Sequence, residues 1–129
     1  MTQAHALIID DNVKNINVLA NMLSDENLTH TRITNPKHLE TLLEGVGQIS
    51  IVFLDLEMPQ LTGYEVLNSL KQDARFEGVP IVACTVNTNE IRTARQQGFN
   101  GFLGKPLDPD KFPDQLARIL GGEQVWEVS

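Results

Sequence analysis

The run Ile51-Val52-Phe53-Leu54-Asp55-Leu56-Glu57-Met58-Pro59 constrains the fold more than any other stretch of the chain. Four apolar residues with β propensity carry a carboxylate to a strand end, and Pro59, with no N–H to give to a ladder, stops the strand there. An unbroken apolar run belongs to a strand buried on both faces. Asp55 then falls at the carboxyl end of a central strand, where open α/β sheets build their sites. Taken alone, such an Asp could equally be the residue that opens a turn.

Its neighbours along the chain decide between these readings. Leu7-Ile8-Ile9 is a short buried strand ending in Asp10-Asp11-Asn12, and Ile16, Leu19, Ala20 and Leu23 then recur at helical spacing. Thr29 to Thr34 is polar and β-branched enough for an edge strand, and Asn35-Pro36 supplies an N-cap and first residue for a helix carrying Leu39, Leu42, Leu43 and Val46. Gly63 precedes a helix with Val66, Leu67 and Leu70, and Gly78-Val79-Pro80 breaks it before the strand Ile81 to Cys84. Thr85 to Asn89 is a polar turn into a short helical segment through Ile91, Ala94 and Gln97, closed by Gly98. Gly101 to Gly104 is a brief fifth strand followed by Lys105-Pro106. Asp108-Pro109 announces a last helix with Phe112, Leu116, Ile119 and Leu120 on one face, which Pro113 should kink or delay and Gly121-Gly122 should stop.

Strands alternating with helices imply a single-domain α/β fold, a parallel doubly wound sheet with helices on both faces. Asp10, Asp11, Asp55, Thr85 and Lys105 all fall at or just after carboxyl ends of strands, so one crevice should gather them.

A chain of 129 residues suits one domain that needs no staples. Its net charge of −7 opposes accumulation on nucleic acid or anionic membranes, so no direct nucleic-acid binding and no membrane insertion are expected. The N-terminal Met1 to His5 has no basic segment followed by a long apolar one, which gives a soluble, cytoplasmic expectation. The single Cys, Cys84, lies in an apolar run and reads as a buried, inert thiol. His5, His30 and His38 show no ligand spacing.

The acidic pair Asp10-Asp11, Asp55 with Met58-Pro59 and Gly63, Thr85, and Lys105-Pro106 together resemble the receiver domain of two-component response regulators, over about residues 5 to 120. The resemblance implies a flavodoxin-like (βα)5 fold with a five-stranded sheet of order 2-1-3-4-5. It implies a phospho-acceptor and not an enzyme acting on a separate substrate: Asp55 takes a phosphoryl group from a histidine kinase or phosphotransfer protein, and the domain catalyses that transfer and the later dephosphorylation on itself. Mg2+ would be held by Asp11 and Asp55 directly, by Asp10 through water and by the backbone carbonyl of Glu57. Lys105 and Thr85 would contact the phosphoryl oxygens, and Phe102, expected as a half-buried sheet aromatic, would change rotamer when Thr85 moves. The domain is expected over 1–120, with 121–129 as a short tail too small to fold alone, hence a stand-alone receiver acting on an unspecified output protein. Trp126 in that tail either packs back on the domain or anchors a partner.

The chemistry asks for these residue types independently of the resemblance. A carboxylate can attack phosphorus, but an anionic donor nearing three carboxylates needs a hard cation with oxygen ligands, and the charge on the transferred group needs a Lys and a hydroxyl donor. Each residue also has an ordinary reading: Asp10-Asp11 as a helix cap, Thr85 as a turn hydroxyl, Lys105 as a solvated charge. Val86 is bulkier than the small residue usual after the threonine in receivers, which should narrow access. Glu57 and Asn87 stand where the family tunes the lifetime of the phosphate, and the span from Thr85 to Gly98 is about two residues short of the family pattern, so the fourth helix or its leading loop should be shortened. Three rivals stay open on the sequence: an aspartyl phosphohydrolase of the haloacid-dehalogenase type, suggested by Asp55-Leu56-Glu57; a flavodoxin-like cofactor binder, although the turn after strand one lacks a glycine or hydroxyl cradle; and an adaptor that works without phosphorylation.

Overall fold

In the computed structural model the described residues are 3–59 and 61–128; the expectations touching Met1, Thr2 and Ser129 lie outside them. The chain alternates as expected: β1 (His5–Ile9), α1 (Val13–Asp25), β2 (Thr29–Ile33), α2 (Leu39–Leu43), β3 (Ile51–Leu54), α3 (Gly63–Lys71), β4 (Ile81–Thr85), α4 (Ile91–Gln97), β5 (Gly101–Gly104), α5 (Phe112–Leu120) and β6 (Val125–Glu127). All neighbouring strands pair in parallel, in the order β2-β1-β3-β4-β5-β6.

The alternation of side chains along each strand divides the core in two. Leu7, Ile9, Val52, Leu54, Ile81, Ala83 and Phe102 pack with α2, α3 and α4, and Ile8, Ile51, Phe53, Val82 and Leu103 pack with α1 and α5. Because both faces are covered, β3 and β4 are buried at every residue. The apolar run from Ile51 to Leu54 is therefore the centre of the sheet, with β2 at one edge as its polar sequence requires. Among the described residues no helix is long and apolar enough to cross a membrane.

Local signals act as read at several ends. Asn35 Oδ1 accepts from Lys37 N and Pro36 opens a 3-10 turn ahead of α2. Gly98 ends α4 at φ 104°, in the left-handed region that glycine enters freely.

Three details differ from the expectation. Among the described residues the sheet has six strands, not five, because 125–127 of the expected tail pair with β5. Phe102 is fully buried, not half-buried, since β6 closes that side of β5. α2 ends at Leu43, so the expected Val46 lies beyond it, and within the helix Leu42 faces solvent, as does Leu120 at the end of α5. In line with the delay expected from Pro113, α5 starts only at Phe112, after a turn in which Asp108 O accepts from Lys111 N and Phe112 N. Pro113 is thus the second helical residue, where a missing N–H costs no helical hydrogen bond.

Candidate functional site

Strand register puts the site together. Ile9 and Leu54 are paired, and Asp55 N donates to Ile9 O at 2.9 Å, so Asp10 and Asp55 leave the sheet side by side. On the other flank Thr85 pairs with Gly104, and Lys105 N donates to Thr85 O at 2.8 Å. Asp10, Asp55 and Thr85 are 4%, 8% and 0% exposed, while Asp11 is exposed at the rim. One carboxylate oxygen from each of Asp10, Asp11 and Asp55 lies within 4.8 Å of the others. Three hard oxygen donors at that spacing fit a small divalent cation such as Mg2+.

Asp10 is fixed by its own turn, with Oδ1 accepting from Asn12 N at 2.9 Å; the cap of α1 is Asn12, which accepts from Asn15 N. The acidic pair is therefore not consumed in capping. Lys105 Nζ reaches Asp10 Oδ2 at 2.5 Å and Asp55 Oδ1 at 3.9 Å. Burial is the main cause that pushes the Asp55 carboxyl up to about 6; the carboxylates of Asp10 and Asp11 add to the rise, and Lys105 and the Glu57 N–H oppose it. For Lys105 burial works downward, but Cys84, Asp10 and Asp55 outweigh it, so its ammonium is held above the usual range.

Gly63 sets the shape of the acceptor turn. Its N–H donates to Leu56 O at 2.9 Å, and a Cβ there would overlap Asp55 O and stand 2.7 Å from Leu56 Cα. Only a residue without a side chain lets α3 begin this close beneath the acceptor backbone.

The remaining expected residues are distributed as follows. Thr85 Oγ1 accepts from Asn87 N at 3.3 Å, so the hydroxyl does serve a turn, fully buried at the end of β4. The Glu57 carboxylate turns away from the acidic cluster and accepts from Asn87 Nδ2 at 3.1 Å, a bridge between the β3 and β4 loops. The sequence singles out both residues but not their contact, for which no spacing rule exists across two loops. Val86 is exposed, and α4 is a seven-residue helix preceded by a 3-10 turn at Thr88–Glu90, in line with the short span read from the sequence. A cavity of about 110 Å³ opens beside Asp55 and Lys105 between α1 and the loop after β5, walled by Leu19, Phe53, Cys84 and Leu107. Cys84 is buried and its thiol is pushed up to about 12 by that burial, consistent with the inert reading.

The chain is thus a parallel doubly wound sheet with an acidic triad, a hydroxyl and a lysine at its carboxyl edge, and the comparisons identify its family. The profile of the response regulator receiver domain matches residues 6–117, and the chain belongs to that family. It is 28% identical over 118 residues to the two-component response regulator ORR11 of rice, covering 90% of this chain and 80% of the relative. Among solved structures, the chemotaxis protein CheY4 of Vibrio cholerae superposes with a TM-score of 0.81 at 20% identity, covering 92% of this chain and 99% of that one. The receiver domain of the sensor histidine kinase PA1611 from Pseudomonas aeruginosa, solved with magnesium in its active-site cleft, gives 0.80 at 24% identity over 93% and 99% of the two chains. Membership in the receiver family sets aside the phosphohydrolase and cofactor-binder readings.

Proposed function

We propose that this receiver domain accepts a phosphoryl group on Asp55 from a phosphohistidine of a histidine kinase or phosphotransfer protein, with Mg2+ as cofactor. The observation that carries the reading is the cluster itself: three carboxylates within 4.8 Å of one another, with a lysine beside two of them. In the transfer an Asp55 Oδ attacks phosphorus, the P–N bond of the donor breaks, and the imidazole leaves with the electron pair and takes up a proton. Asp10, Asp11 and Asp55, with the Glu57 carbonyl, are the residues that would hold Mg2+. When bound it would offset the negative charge of the carboxylates and of the arriving phosphoryl oxygens.

Asp55 must be ionised to attack, and with its carboxyl pushed up to about 6 the metal-free site resists ionisation. Lys105 carries the compensating charge; to reach the phosphoryl oxygens its ammonium exchanges Asp10 for the acceptor. The Thr85 hydroxyl, which already accepts from Asn87 N, keeps its proton for a phosphoryl oxygen. Thr85 is thereby the sensor. Phe102, fully buried on the adjoining strand, repacks in response, which is a change within the core and not a turn from the surface inward.

Intact-protein mass after incubation with acetyl phosphate and Mg2+ tests the reading. Wild type should gain one phosphoryl group, and Asp55→Asn or added chelator should abolish the gain. Equal labelling of Asp55→Asn would overturn the assignment, and no labelling of wild type would leave the phosphorylation-independent adaptor. Mg2+ should raise Tm in wild type by mass action and do so less in Asp11→Ala.

A further inference from the structure

β6 is held by far more than its short ladder. Val125 is buried at 1% exposure, Trp126 packs against the same core as its register neighbour Phe102, and the Arg95 guanidinium of α4 lies 5.0 Å from the indole centroid. Glu127 accepts from Gln115 Nε2 at 2.7 Å and from Arg118 Nη1 at 3.2 Å, tying the strand to α5. β5 is shaped to receive it. A Cβ on Gly101 would stand 2.9 Å from Val125 O, and one on Gly104 would overlap Val128 O and come within 3.0 Å of Thr88 Cγ2.

This seat is continuous with the acidic site. Gly104 is the register partner of Thr85 and immediately precedes Lys105. Thr88, which closes the other side of Gly104, starts the turn that leads from the β4 loop into α4, and α4 carries the Arg95 that stacks on Trp126. The two residues that would contact a phosphoryl group, Thr85 and Lys105, therefore adjoin the backbone that grips the strand.

We infer that β6 is a cover strand whose seating on β5 is coupled to the state of Asp55: seated while the site is empty, loosened when a phosphoryl group is present. This rests on the phospho-acceptor reading given above. Drawing Thr85 and its loop toward the phosphoryl group carries Thr88 and the start of α4 with it, withdrawing Arg95 from Trp126. Drawing Lys105 off Asp10 moves Gly104, whose approach to Val128 O is close enough that not even a Cβ would fit between them. Coupling of this kind is reciprocal, so a chain whose β6 is unseated must bind a phosphoryl group more tightly.

Trp126 is the only tryptophan, so its emission reports on β6 alone. Full-length protein with Mg2+ is titrated with beryllofluoride, a tetrahedral phosphoryl mimic, following fluorescence and, independently, calorimetric heat. The expected result is a red shift of Trp126 emission in wild type, none in Asp55→Asn, and about fivefold or more tighter mimic binding in Val125→Asp and, to a lesser degree, in Arg95→Ala. Calorimetric binding with silent Trp126, or variant affinities equal to or weaker than wild type, overturns the cover strand and leaves the acceptor reading standing. No mimic binding to wild type, or equal binding to Asp55→Asn, overturns the acceptor reading and this inference together. If circular dichroism shows Val125→Asp unfolded, Arg95→Ala, which leaves every residue of β6 intact, decides the outcome alone.

Discussion

Lys105 Nζ sits 2.5 Å from Asp10 Oδ2 and 3.9 Å from Asp55 Oδ1, so the lysine hydrogen-bonds Asp10 and makes only a long ion pair with the acceptor. Both partners of the short pair are almost fully buried, which makes the pair costly to break one-sidedly. Lys105→Ala should lower metal-free stability by about 3 kcal/mol in urea denaturation. Mg2+ binding should persist in that variant and tighten, because a competing cation has gone, while the response to acetyl phosphate weakens. Lost Mg2+ affinity would contradict the role given to Lys105.

The acidic site should also shape the pH profile. Burial first, then Asp10 and Asp11, raise Asp55 from 3.8 to about 6, so the folded state holds this proton more tightly than the unfolded one. An acid shifted upward costs nothing below its unfolded value, and its cost grows as pH rises toward the folded value. In chelator, wild type should therefore lose about 2–3 kcal/mol relative to Asp55→Asn between about pH 4 and 7, at 1.36 kcal/mol per unit, the lower figure allowing for solvent screening in the open crevice. His5 and His30, both held low chiefly by burial, act in the opposite sense as pH falls below 6.5, and they cancel in the difference between the two proteins. A flat difference across that range would remove the desolvated acceptor.

At Gly63 the expectation is steric. Gly63→Ala forces a methyl against Asp55 O and Leu56 Cα and should cost about 1–3 kcal/mol while slowing phosphorylation by displacing the acceptor. Gly47, where an added Cβ would have nothing within 4 Å, provides the control: Gly47→Ala should be close to neutral in both measurements.

Cys84 should be silent in the folded protein. Its thiol is buried and pushed up to about 12, so a thiol reagent at pH 8 should label it only once denaturant opens the core. Labelling that is fast under native conditions would mean that the cavity beside Asp55 admits molecules to the core.

What can be read from the chain, and what cannot, separates by the range of the interactions involved. The acidic pair, Asp55, Thr85 and Lys105 are legible because each ends a short apolar run and the parallel topology then brings strand ends together. β6 is not, because Val125-Trp126-Glu127 is too short to show a period, and it forms only where β5, Arg95, Gln115 and Arg118 already stand. The full burial of Phe102 escapes the sequence for the same reason, since the covering strand is itself hidden there. Asp108 does signal the last helix but lies further from it than a cap would, because the turn it closes consumes the residues up to Lys111. The Glu57–Asn87 bridge depends on side-chain directions in two loops, which no local pattern encodes.

The six-stranded register also decides which strand edges the domain presents. β5 consists of Gly-Phe-Leu-Gly, and bare it would present an apolar, side-chain-poor edge open to strand-on-strand growth. With β6 in position the sheet ends instead on a strand of three residues bearing Glu127 and, at the far side, on β2 with Thr29 and Arg32 turned to solvent. Protection of the β5 edge is thus vested in the short segment that follows α5, and a protease that nicks the Gly121-Gly122 link should favour strand-on-strand growth at that edge.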